Sequence, residues 1–148
     1  WLGQPMSDGY EEREVQYLEL ENRFTEHASM QTNGKNLVFD TTGSVVHLDD
    51  STTKILRKNC LIVHLDVGER SLPRMVEQYF KKPKPVAWYG HFNQKPDETT
   101  EAALRRCYPK LIEYRLEKYR KLAHVTVSAQ QMRDKSAQET LEVIKYHL

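Results

Sequence analysis

"LIEYRLEKYRKLAHVTV", residues 111–127, decides how this chain of 148 residues is read. Steps of four from Leu111 reach Arg115, Tyr119 and Ala123, so a permanent charge stands in a helical row that otherwise looks inward. An arginine in such a row either lays its stem along the helix and sends its head to water, or keeps its planar fork inside for an anion. Directly after the row, His124 to Val127 has the composition of a short strand. The stretch thus predicts a long helix that feeds a strand, a unit of sheets wrapped by helices.

Outward from this stretch the same alternation continues. The long helix begins at Glu98 or Thr99 and ends at Leu122. Before it, "KPKPVAWYGHFNQKPDETT" holds three prolines and a glycine in some 19 residues, longer than most connections, and region 82–103 reads as a lid or binding loop. "ERSLPRMVEQYFKK" is a helix with Ser71 as cap and Pro73 in its first turn, where a missing N–H costs least. "CLIVHLDV", residues 60–67, is near-continuously apolar, which predicts a strand buried on both faces of a parallel sheet. Asp49, Asp50 or Ser51 caps a short helix before it, and "KNLVFDTTGSVVH" predicts a strand at 36–40 that ends in a turn.

At the start, Ser7 or Asp8 caps a helix over 9–27 in which Tyr10, Val15, Leu18 and Phe24 recur at roughly helical spacing. At the end, Ser136 and Glu139 have capping-box spacing ahead of an amphipathic helix. The order predicts one α/β domain, a parallel sheet between helices. Ligands in such sheets bind beyond the carboxyl ends of the strands, here Asp40 to Ser44, Asp66 to Glu69, and the segment after Val127.

Composition narrows the function classes. The 22 basic and 21 acidic side chains nearly cancel, so no overall field draws the chain to nucleic acid or an anionic membrane. Cys60 and Cys107 are far apart and lack C-x-x-C spacing, as expected of reduced thiols in a cytoplasmic setting. The longest apolar run is far shorter than the roughly 20 residues a membrane span needs. The six histidines show no metal-ligand spacing and read as core or pocket-edge residues.

"LIEYRLEKYRKLAHVTV" resembles the C-terminal signature of the shikimate kinase family, in which L-x-x-x-R-x-x-x-Y-x-x-x-A runs into the last strand. "NLVFDTTGSVV" is similar to that family's strand ending in a glycine triplet, "LIVHLDV" to its next core strand, and "GYEEREVQYLELE" to its helix with an F-R-x-x-E pattern. "LPRM" looks like the helix whose arginine stacks on adenine, and "KPVAW" takes the place of the lid's R-P-L-L. These cover nearly the whole chain, in family order.

The resemblance implies a P-loop kinase-like, three-layer α/β/α fold and ATP-dependent phosphorylation, with magnesium, of a hydroxyl on a small carboxylate-bearing acceptor such as shikimate. It implies that Arg115 grips the carboxylate, that Gly43 lets backbone approach the acceptor, with Thr42 and Ser44 replacing the other two glycines, that Lys84 swings in on the lid as the catalytic cation, and that Arg74 packs on adenine. Tyr10 and Glu14 fit the F-R-x-x-E pattern, whereas Glu11 falls where the family has an arginine, and Arg13 is nearby.

The G-x-x-x-x-G-K-S/T phosphate loop does not occur in these residues, and neither does the D-x-D segment of the family. A chain without that backbone nest and lysine has no cradle for nucleotide phosphates. The expectation is therefore the C-terminal part of a longer kinase-like protein, or a chain completed by another segment or partner. The alternatives are a catalytically inactive kinase-like domain with a binding or regulatory role, and a related kinase with another acceptor.

Overall fold

The computed structural model describes residues 1–31 and 36–148. Its elements are α1 (Tyr10–Met30), α2 (Asp50–Asn59), β1 (Val63–Asp66), α3 (Leu72–Lys81), α4 (Thr100–Leu122), β2 (Val125–Ser128), α5 (Ala129–Met132) and α6 (Ala137–Tyr146), with single 3-10 turns at Val45–His47 and Glu69–Ser71. β1 and β2 pair in parallel, Val63 opposite Val125 and Asp66 opposite Ser128, so the chain leaves β1 and returns through α3 and α4 to lie beside it. The mixed helix and strand content agrees with the α/β expectation. No described helix is long and apolar enough to cross a membrane.

Local chemistry explains most boundaries. Thr99 accepts from the Ala102 N–H at 3.3 Å to open α4, and Ser136 with Glu139 forms the reciprocal capping box of α6. The start of α1 differs from expectation. Gly9, at φ 68°, precedes its first residue, and neither Ser7 nor Asp8 caps it by side chain. The Ser7 hydroxyl is engaged by the Gln4 carbonyl at 2.7 Å, while Arg13 gathers the Leu2 and Asp8 carbonyls at 3.0 and 2.8 Å. A left-handed residue lets the chain turn into the helix around that arginine.

Three expectations are corrected. Residues 36–40 form no strand: they run outside the sheet, with Val38 95% exposed, because an apolar run becomes a strand only where another strand takes up its backbone. β1 is shorter than the run that predicts it, has β2 as its one paired neighbour among the described residues, and is not covered on both faces, since Leu61, Leu65 and Val67 stay exposed. The inward face of α1 keeps only part of the apolar row: Tyr10 is buried as expected and Leu18 half-buried, but Val15 and Phe24 are exposed, and Glu21, Thr25 and Ser29 take the interior instead.

Two apolar clusters hold the elements. One gathers Leu2, Tyr10, Tyr79, Trp88, Cys107 and Leu111 between α1, α3 and α4. The other joins Val45, Leu48 and Leu56, with Tyr119 and Leu122 of α4 packed against them. Within the first, Trp88 is 1% exposed and meets Phe92 and Tyr108 edge to face. The lid-like stretch is accordingly divided: residues 100–103 belong to α4, and the irregular part is anchored in the core by Trp88.

Candidate functional site

A cleft of about 160 Å³ opens where α1, the turn at 42–45, the loop at 85–87 and α4 meet. Tyr17, Thr42, Gly43, Ser44, Pro85 and Arg115 are among its walls. That is the scale of cavity that takes a single benzene-sized ring. Of the sequence-derived site residues, Arg115, Gly43, Thr42 and Ser44 come together here, although Arg115 is 71 to 73 positions from the other three in sequence. Lys84 is exposed beside the wall residue Pro85, and Arg74, exposed on α3, does not line the cleft. The Asp66 to Glu69 segment lies elsewhere, with Asp66 engaged by the Gly68 N–H at 2.9 Å and by Arg120 at 3.5 Å. A larger hollow of about 390 Å³ between the ends of α1 and α2 has none of these residues in its wall.

Arg115 answers the question its row poses. It is 8% exposed, and it forms no ion pair among the described residues. Its Nε donates to His47 Nε2 at 3.2 Å and its Nη2 to the Ala87 carbonyl at 2.7 Å. A guanidinium has five N–H donors, so three are left without a described protein acceptor. Nη1 faces Gly43, where a Cβ would stand 3.1 Å from it. Glycine is thus what allows the fork to face this turn closely. Burying an unpaired cation is costly, and an anion in the cleft would supply the missing partner.

His47 fixes the orientation of that fork. Its ring is stacked against Tyr89 and Tyr114, with centroids at 4.5 and 5.7 Å. Burial first, and then the Arg115 charge, hold its pKa down to about 3, so the imidazole is neutral and accepts the Nε proton. The imidazole hydrogen therefore resides on Nδ1, a buried atom without a partner among the described residues. His91, packed on Tyr114, is also lowered, by burial first and Arg115 second.

Tyr119, one turn beyond Arg115, donates to the Gly43 carbonyl; burial raises its pKa and keeps the hydroxyl protonated. On the facing wall Thr42 donates to Glu21 of α1, Thr42 and Ser44 hydroxyls lie 2.9 Å apart, and Ser44 and Tyr17 hydroxyls 3.1 Å apart. Glu21 is 9% exposed, and its Oε2 has no partner among the described residues.

The loop wall is held by the residues matching the F-R-x-x-E helix. Glu14 Oε1 accepts from the Trp88 and Tyr89 N–H groups, and the Tyr10 hydroxyl lies 2.7 Å from the Val86 carbonyl and 2.6 Å from Glu14. With Arg115 on Ala87, backbone from Val86 to Tyr89 is gripped from two helices. Glu11 is exposed and Arg13 serves the N-terminal turn, so neither reaches the cleft.

Nucleotide and magnesium do not fit this residue set. The sequence lacks the phosphate loop, and no three His, Cys, Asp or Glu side chains group to hold a metal ion among the described residues. His47 is buried beside the cleft, as the reading of the histidines as core or pocket-edge residues expected, though its bond to Arg115 was not foreseen; Tyr17 and Glu21 were passed over. A signal for the last two exists: Tyr10, Glu14, Tyr17, Glu21 and Thr25 recur every three or four residues, a polar stripe at helical period. No protein-family model, curated protein or solved structure matches the chain.

Proposed function

We propose that the cleft binds the carboxylate of a small acceptor molecule, and that the chain is the acceptor-binding part of a shikimate-kinase-like phosphotransferase with the P-loop kinase-like three-layer fold. The observation that carries this reading is Arg115, a buried guanidinium with three uncommitted N–H groups and no acidic partner among the described residues. Arginine forks suit planar carboxylates, which take two parallel N–H bonds. The cleft's volume of about 160 Å³ suits one substituted six-membered ring.

In this scheme the reaction is transfer of the ATP γ-phosphoryl group to an acceptor hydroxyl. The residues described here supply binding and orientation: Arg115 fixes the ring by its carboxylate, Gly43 gives it room, and Thr42 and Ser44 meet its hydroxyl side. Lys84, exposed beside the cleft, is the cation that would neutralise charge on the transferred group. Phosphoryl transfer is proposed only for this chain joined to a phosphate loop, supplied by another segment or partner.

Arg115→Met tests the reading, because it retains most of the stem and deletes the fork. Titrated with shikimate, the variant should bind about 30- to 1000-fold more weakly, the 2 to 4 kcal/mol of a desolvated carboxylate that loses its partner. Equal affinity in the variant and the parent chain would refute the role of Arg115.

A further inference from the structure

We propose that the wall facing Arg115 is a polarised hydroxyl relay, Tyr17 to Ser44 to Thr42 to Glu21, which makes the cleft select ligands that carry a hydrogen-bond donor as well as a carboxylate. The inference rests on the carboxylate reading above and adds the residues that choose among carboxylates.

The direction follows from counting hydrogens. Each hydroxyl has one hydrogen to give. Thr42 gives its own to Glu21 Oε1, so at the 2.9 Å contact with Ser44 it can only accept, and Ser44 must donate. Ser44 then has none left for Tyr17, and at 3.1 Å Tyr17 must donate to Ser44. The Ser44 N–H also points to Thr42 Oγ1, at 3.2 Å, in the same sense. Glu21, buried and with Oε2 unpartnered among the described residues, terminates the series as an acceptor.

Tyr17, Thr42 and Ser44 all line the cleft, and every one of their hydrogens is committed within the relay. Thr42 is filled by the Ser44 hydroxyl and N–H, so what this wall offers a ligand is the remaining lone pairs of Tyr17 and Ser44. The opposite wall, Arg115, offers only N–H donors. A ring with a carboxylate at one end and a hydroxyl at the other satisfies both walls. A ring carboxylate bare of hydroxyls leaves the relay's lone pairs dry and unpaired, and an acceptor-only group there faces another acceptor.

The test compares two probes with the same ring and carboxylate, shikimate and cyclohex-1-ene-1-carboxylate, by calorimetric or NMR titration of the chain. The parent chain should prefer shikimate by about tenfold or more. Tyr17→Phe removes the open end of the relay, and Ser44→Ala frees the Tyr17 hydrogen so that the wall no longer reads donors alone. Either change should lower the preference about tenfold while cyclohexenecarboxylate still binds. That second probe also reports folding, since a misfolded variant loses it too and the other variant then decides. A preference unchanged in a variant that still binds cyclohexenecarboxylate overturns the relay, with the Arg115 reading intact. Loss of both probes in Arg115→Met with the preference intact in the relay variants separates the two in the same way, and failure of the parent chain to bind either probe overturns both.

Discussion

Acid should unfold this protein partly through His47, and the amount can be worked from its surroundings. Burial and the adjacent Arg115 lower its pKa from the ordinary 6.5 to about 3, with His91 and Lys118 adding to the effect. The unfolded chain therefore binds a proton that the folded chain refuses between these two values. Stability from this group is fully present above pH 6.5 and falls as pH drops toward 3. Relative to neutral pH, the loss by pH 4.5 is about 2 to 3 kcal/mol from this histidine alone. His47→Gln isolates it, because the amide oxygen can still accept from Arg115 Nε but does not titrate. Urea midpoints of parent and variant from pH 7.5 to 4.5 should converge or cross as pH falls, with the difference changing by about that amount. His64 and His91, both lowered chiefly by burial, destabilise both proteins in the same direction and cancel in the comparison. Parallel curves across this range would mean that His47 takes up a proton in the folded state, and the account of the Arg115 fork would fail.

Three further outcomes follow from the packing around the cleft. Trp88→Ala empties the space of a side chain that is 1% exposed, and should cost about 3 to 5 kcal/mol in denaturant unfolding. Glu14→Leu leaves the Tyr89 N–H unpaired and the Trp88 N–H with the Tyr10 hydroxyl alone; a loss of about 1 to 3 kcal/mol and faster proteolytic cleavage within 82–99 are expected, and unchanged cleavage would show that the loop is held elsewhere. Gly43→Ala sets a Cβ 3.1 Å from Arg115 Nη1 and 3.4 Å from the Tyr119 hydroxyl; shikimate binding should weaken about tenfold for about 1 kcal/mol of stability, and unaltered binding would remove Nη1 from the site.

The long helix and the strand after it were legible because their signals are local. Thr99 and Ser136 cap by reaching three residues ahead, and Ile62 to Asp66 and Val125 to Val127 have strand composition on their own. From its row alone Arg115 stood open between a head sent to water and a fork kept inside, and the structure buries it. The run at 36–40 misled because the same composition serves a strand only where a neighbour exists, and among the described residues none pairs with it.

By itself, then, the sequence marked most helices to within a few residues and the composition of both strands, together with a third strand at 36–40 that does not form, and it placed one arginine in a row that otherwise looks inward. Tertiary structure alone decided which face of α1 is buried and what surrounds that arginine. Hydrophobic period argued for Val15 and Phe24, yet Tyr17 and Glu21 line the interior because hydroxyls 21 to 27 residues further on are there to satisfy them. His47 likewise acquires its meaning from Arg115, 68 positions away. A polar side chain can be buried only when its partners arrive from elsewhere in the chain, and no local pattern records their arrival.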